Sequence, residues 1–323
     1  MVRKAVSVVI AAFDAGPTIA ACVSSALAEP ETGEVIVVDD CSSDDTVAAA
    51  ERAGGGDPRL QVMRQDINRG PSAARNRAID AATMPYVAVL DADDRFLPGR
   101  FARLFGTTDW DLCADNIAFL TDRAAFASFA PGAEGRGRVA TLDLETFMVG
   151  NRNSKAVERS ELGFLKPVMR REFLDTHGLR YAANCRLGED FLLYCRALAR
   201  GARFQVHEAC GYVAYERRDS LSGKHGVEDL RHFLNGIEAL EPELPPSAAE
   251  PFRSLQESLR EKIDLREVLD IRSEHGLARG VMALGTRPTA LRDILRDKLR
   301  SRKKVGPRSR VLMPPCAFDR LAA

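Results

Sequence analysis

A chain of 323 residues that is 45% hydrophobic and 28% charged can bury the core of one large or two moderate domains, which excludes disorder as its default state. Lys+Arg and Asp+Glu both total 46, so the molecule as a whole carries no field that favours nucleic acid or an anionic surface, and any such preference must be local. Seven cysteines without a CxxC pair fit a reducing compartment rather than a disulfide framework. No signal-peptide core precedes the first strand, and no apolar run reaches the about 18–20 residues needed to span a bilayer, so a cytoplasmic protein is expected.

The first third alternates strand and helix signals. "VSVVIAAF" (Val6 to Phe13) is a β-branched run that suits a strand buried on both faces. Pro17 stands near the start of a helix, "PTIAACVSSALA", where its missing N–H costs nothing. "EVIVVDD" (Glu34 to Asp40) reads as a second strand, and "SSDDTVAAAERAG" as a helix with Ser42 or Ser43 as N-cap and Gly54 as stop. "LQVMRQ", "GPSAARNRAIDAA" (Gly70 to Ala82) and "YVAVLDADD" (Tyr86 to Asp94) continue as strand, helix and strand. This succession predicts an α/β, Rossmann-like fold with a mostly parallel central sheet flanked by helices. "WDLCADNIAFL" (Trp110 to Leu120) adds a strand, "DFLLYCRALARG" a helix opened by Glu189 and Asp190, and "ARF" the start of another strand. From Gly236 the pattern is helical and broken by the proline-rich "EPELPPSAAEP". Phe252, Leu255, Leu259, Ile263 and Leu269 then recur at helical spacing, as a face that packs on the preceding domain or on the partner of a homodimer. The expected division is 1–235, in two halves of 1–105 and 106–235, and a helical, basic 236–323.

In open sheets of this kind ligands bind beyond the carboxyl ends of the strands. Asp14, Asp39, Asp40, Asp91, Asp93 and Asp94 all follow strands and should gather on one edge, where they repel one another unless a cation or a donor-rich ligand is present. The first turn, "AAFDAGPT", lacks the glycines of a dinucleotide site, and GxxxxGK[ST] is absent. A diphosphate would therefore be neutralised by a divalent cation and basic side chains, and Asp91-x-Asp93 offers hard oxygen ligands for Mn²⁺ or Mg²⁺.

Five motifs in order, "VSVVIAAFDAGPTIAACVSSAL", "EVIVVDDCSSDDT", "NRGPSAARNRAI", "VAVLDADDRFLPGRF" and "CRLGEDFLLYCRALARGARF", resemble the family 2 glycosyltransferases of GT-A fold, and more narrowly the bacterial succinoglycan-type exopolysaccharide transferases. The resemblance implies an inverting transfer of a sugar, such as glucose from UDP-glucose, to an acceptor hydroxyl. It places Ala11, Phe13, Asp14, Asp39 and Asp40 at the uracil pocket, Arg75 at the ribose or diphosphate, and Asp91 with Ala92 near the ribose or sugar. It assigns Asp93, Asp91 and His225 to the metal, Asp190 as general base and Glu189 as its orienting partner. Lys166 and Arg170 become phosphate contacts, and Tyr215, Arg217, Arg218, Ser220, Ser222 and His225 belong to a loop that folds over the donor. Ala11-Ala12 and Asp14 depart from the usual Pro-x and Asn of the family, which bears on base and sugar preference.

"LRDILRDKLRSRKKVGPRSR" concentrates Arg and Lys in the manner of a peripheral membrane contact, which suits a lipid-linked glycan acceptor at the inner face of the cytoplasmic membrane. It contains no aromatic residue, against the interleaved pattern expected for nucleic acid. Two other classes share some of these features: a nucleotidyltransferase, which would need a basic glycine-rich first loop, and a non-catalytic sugar-nucleotide-binding protein.

Overall fold

The β-branched runs of the first hundred residues form the buried centre of a sheet, because strands covered on both faces tolerate no polar alternation. The computed structural model describes residues 4–122, 125–126, 129, 137–151, 162–183, 185–216, 226–286, 309–313, 318 and 321. Strand β1 (Val6–Ala12), helix α1 (Ile19–Leu27), β2 (Thr32–Asp39), α2 (Thr46–Gly54), β3 (Leu60–Arg64), α3 (Pro71–Ala81) and β4 (Tyr86–Val89) follow the predicted alternation. All four strands run parallel, in the spatial order β3-β2-β1-β4.

The second half mixes directions. It contains β5 (Arg95–Phe96), α4 (Arg100–Leu104), β6 (Leu112–Leu120), β7 (Val139–Leu142), α5 (Leu144–Gly150), β8 (Val168–Arg170), α6 (Arg171–Thr176), α7 (Glu189–Ala199) and β9 (Phe204–Tyr215). The sheet continues β4-β8-β6-β9-β5, with β6 and β9 parallel to the first four strands and β8 antiparallel to both β4 and β6. That inversion puts the residues just before β8 beside the carboxyl end of β4, and Arg170, which pairs with Tyr86, at the opposite edge. The architecture is thus a mostly parallel central sheet between helices, as expected, with antiparallel β8 at the junction of its halves and β5 and β7 antiparallel to β9.

Three local readings change. The second helix starts at Thr46, not at a cap on Ser42 or Ser43, because the Ser42 hydroxyl accepts the Asp14 N–H at 2.9 Å across the loops. Its stop is Gly55, left-handed at φ 56°, one residue beyond Gly54. The C-terminal helices begin earlier than Gly236, at α8 (Val227–Glu238).

Helix α9 (Ala249–His275) packs Phe252, Leu255, Leu259 and Ile263 inward against α5 and α8, whereas Leu269 is 39% exposed and Val268 takes the buried place. After α10 (Leu277–Thr286), strand β10 (Ser309–Val311) pairs antiparallel with the end of β6. The Asn116 side chain clamps Met313 through both its N–H and its C=O, and Phe318 is fully buried in the main core. Among the described residues no helix is long and apolar enough to cross a membrane.

Candidate active site

Helix α3 organises the site from below. Gly70 precedes it at φ 85°, a conformation that favours glycine, and Pro71 occupies the first turn. Asp40 fixes this entry: its Oδ1 accepts from Gln65 Nε2 at 2.6 Å and the Arg69 N–H at 2.8 Å, and its Oδ2 accepts from the Gly70 N–H at 2.8 Å. One turn on, Ser72 Oγ donates to the Cys185 carbonyl at 2.9 Å, and Asn76 bonds both backbone groups of Tyr181 at 2.8 Å. The helix therefore holds the chain segment that leads into α7.

Between those anchors lies Arg75, buried with its guanidinium 5.3 Å from the Tyr181 ring centroid. It donates to Asp91 Oδ1 at 2.7 Å and to Glu189 Oε1 at 2.8 Å. Lys166, also buried, lies 2.9 Å from Asp91 Oδ2 and 2.6 Å from Asp190 Oδ2. Asp91 of the first half and the acid pair at the start of α7 are thus joined by two cations. Burial alone would raise Asp91, but Lys166 and Arg75 outweigh it and hold its carboxyl well below the usual carboxylate range. Burial opposes the Lys166 charge, yet Asp190 and Asp91 keep the ammonium above its ordinary value. Asp190 Oδ1 is buried and makes no hydrogen bond of full geometry among the described residues, although the carboxylate interacts with the neighbouring Tyr181 hydroxyl.

The acid pair begins α7 behind Gly188, left-handed at φ 72°, where a Cβ would come within 2.4 Å of the Phe233 ring. Carboxylates in a first helical turn also gain from the backbone dipole.

The Asp91–Asp94 turn rests on β9. Tyr212 Oη accepts the Asp91 N–H at 3.1 Å and donates to Asp94 Oδ2 at 2.7 Å, while the Tyr215 N–H reaches Asp94 Oδ1 at 3.0 Å. Burial, then Asp93, then Asp91 push the Asp94 carboxyl well up. Ala92 and Asp93 are half-buried in the same turn.

At the end of β2, Asp39 is fully buried. Its Oδ2 accepts the Ser42 N–H at 3.1 Å and lies 3.4 Å from Arg64 Nε, and its Oδ1 has no hydrogen-bond partner among the described residues. Asp14, at φ 46°, ties the first loop to the second through Ser43 N at 2.8 Å. Phe13 beside it is 52% exposed, and Ala11 is half-buried in β1.

Arg170 is not part of this cluster. Its Nη2 donates to the Trp110 carbonyl at 3.0 Å at the far edge of the sheet. Arg217, Arg218, Ser220, Ser222 and His225 lie outside the described residues. Tyr181 and Tyr212, which carry no motif, emerge only from the packing.

No group of three His, Cys, Asp or Glu among the described residues converges as a metal cage. Mg²⁺ in phosphate sites needs only one or two carboxylates beside the substrate's own oxygens. Asp91, Asp93 and Asp94 put three carboxylates within four positions of this turn, a donor set of hard oxygens that fits a cation arriving with a diphosphate.

With this geometry in view, the comparisons are specific. The description "Glycosyl transferase family 2" matches residues 7–121. Succinoglycan biosynthesis protein ExoU of Rhizobium meliloti is 45% identical over 294 residues, which span 90% of this chain and 85% of ExoU. ExoO of the same organism is 38% identical over 72% of this chain and 67% of ExoO. The solved structure of S. aureus TarS residues 1–349 with UDP-GlcNAc superimposes with a TM-score of 0.57 over 88% of this chain and 91% of that one, at 16% identity, a likeness of fold. The chain belongs to glycosyl transferase family 2 and is a glycosyltransferase with a GT-A fold.

Proposed function

We propose that this enzyme transfers a hexosyl unit, with inversion, from a UDP-sugar such as UDP-glucose to a hydroxyl of a lipid-linked oligosaccharide during exopolysaccharide synthesis. The observation that carries the reading is the bridge from Asp91 through Arg75 and Lys166 to Glu189 and Asp190, which brings a donor-side carboxylate and an acceptor-side acid pair into one buried cluster. The roles of ExoU and ExoO as succinoglycan biosynthesis proteins support a polysaccharide product, and the UDP-GlcNAc in the TarS structure supports a UDP-sugar donor.

In this reading the imide N–H of uracil meets the buried Oδ1 of Asp39, which has no hydrogen-bond partner among the described residues. Phe13 offers an exposed ring beside the base, while Asp14 and Asp40 shape the two loops rather than touch the ligand. A divalent cation, Mn²⁺ or Mg²⁺, would be held by Asp93 and would neutralise diphosphate charge; Asp91, with a cation against each oxygen, stands towards the ribose or sugar. Arg75 adds fixed positive charge where the leaving diphosphate develops its own. Asp190 removes the acceptor hydroxyl's proton as the new C–O bond forms and the bond to the diphosphate breaks on the opposite face. Glu189, through Arg75, orients this machinery. The basic residues between Leu291 and Arg310 suit contact with the anionic membrane that carries the acceptor.

The test is a panel of nucleotide sugars with Mn²⁺ and a synthetic polyprenyl diphosphate-linked acceptor, analysed for glycosylated product. Acceptor-dependent consumption of a UDP-hexose is expected. Binding without turnover would support a sugar-nucleotide-binding protein, and pyrophosphate release from UTP and a sugar phosphate would support a nucleotidyltransferase.

A further inference from the structure

We infer that Lys166 is a positioning residue that selects which oxygen of Asp190 acts on the acceptor. The inference deepens the reading of Asp190 as the base and rests on it. Two oxygens of a free carboxylate are equivalent, but those of Asp190 are not: Oδ2 is held by Lys166 Nζ at 2.6 Å, whereas Oδ1 has no ion-pair partner among the described residues and the Tyr181 hydroxyl is the carboxylate's other neighbour. A base restrained at one oxygen presents the other in a fixed place, which is what an in-line attack requires.

The restraint is only as rigid as the lysine's own backbone, and that backbone is held by buried donors on both sides of the peptide. Tyr194, one turn beyond Asp190 on α7, donates its hydroxyl to the Leu165 carbonyl at 3.0 Å. Arg100, fully buried, donates to the Lys166 carbonyl and is paired with Asp115 at 3.0 Å. Its guanidinium lies 4.6 Å from the Phe96 ring centroid and 5.5 Å from that of Tyr212, the residue that carries the Asp91 turn. Gly211 makes room for this pair, since a Cβ there would fall 1.8 Å from Asp115 Oδ2. A platform beneath the sheet edge thus fixes the lysine relative to the Asp91 turn and the base together. A solubilising surface lysine would need none of this.

The experiment uses the full chain and compares Lys166→Met, Lys166→Arg, Asp190→Asn and the Lys166→Met/Asp190→Asn double variant. Transfer kinetics are measured alongside UDP titration by calorimetry. Lys166→Met should lower kcat about 10- to 100-fold, within the range a positioned base supplies, with UDP affinity within about threefold of the parent because Arg75 still holds Asp91 and Asp39 is untouched. Lys166→Arg should recover part of that loss. The double variant should lose no more than Asp190→Asn alone, because nothing remains to be positioned. Multiplicative losses in the double variant, near-normal kcat in Lys166→Met, or a fall in UDP affinity as large as the fall in kcat would each overturn the assignment. If Lys166→Met does not fold by circular dichroism, Lys166→Arg carries the test, with a lowered kcat at unchanged UDP affinity expected and unchanged kcat overturning it. Near-normal turnover in Asp190→Asn would remove the base and the positioning role together. Collapse in Asp190→Asn with full activity in Lys166→Met would remove the positioning role alone.

Discussion

Asp39 and Asp40 are neighbours at the end of β2 with different surroundings, and their substitutions should separate. Asp40 spends both oxygens on Gln65 and the amides of Arg69 and Gly70, so it belongs to the scaffold of α3. Asp39 keeps a buried Oδ1 without a hydrogen-bond partner among the described residues. A hydrogen bond to a charged group contributes about 1.5–3 kcal/mol, so Asp39→Asn should weaken UDP binding about 10- to 100-fold in calorimetry while leaving the thermal midpoint close to the parent's. Unchanged UDP affinity would remove Asp39 from the uracil pocket. The sequence singles out both acids, because paired carboxylates after a buried strand are unusual. It cannot tell them apart, since the amides that saturate Asp40 stand about thirty residues later. Likewise the Asp91-x-Asp93 spacing is legible, whereas the cations on Asp91 come from residues 16 and 75 positions away.

Elements differ in how plainly the chain announces them. The alternation from β1 to β4 is local, written in β-branched runs and helix signals, and it reads correctly. Strand β8 is three residues long and has no periodicity of its own, so neither its antiparallel insertion between β4 and β6 nor its placement of Lys166 in the site and Arg170 outside it could be anticipated. The Arg100–Asp115 pair is equally silent, because "LPGRF" and "CADNI" show two ordinary charges until β6, β9 and α4 pack together. Gly211 on β9 is the place to test this packing. A Cβ there would collide with Asp115 and part it from Arg100, and breaking a buried pair costs about 3–5 kcal/mol. Urea titration of Gly211→Ala should show a loss of that order, and a midpoint equal to the parent's would contradict the account of the platform.

At the scale of the whole molecule, the C-terminal region does more than append helices. β10, the Asn116 clamp on Met313 and the buried Phe318 return the chain to the sheet beside the end of β6. Deleting everything after residue 288 would therefore strip core along with basic charge. Membrane contact is better tested with Arg302→Gln, Lys303→Gln and Lys304→Gln combined, which keep β10. With about 1 kcal/mol of attraction per basic residue near an anionic surface, this variant should leave liposomes of anionic lipid at lower salt than the parent does. An identical salt profile would count against the tail as the contact. The central claim joins the two halves: nucleotide held by the first, proton removed by the second. It is tested most directly by steady-state transfer and UDP-sugar titration of Asp190→Asn beside Glu189→Gln. Asp190→Asn should lose about 10² to 10⁴ in turnover with donor affinity nearly intact, and Glu189→Gln should lose less; near-normal turnover in Asp190→Asn would contradict the account.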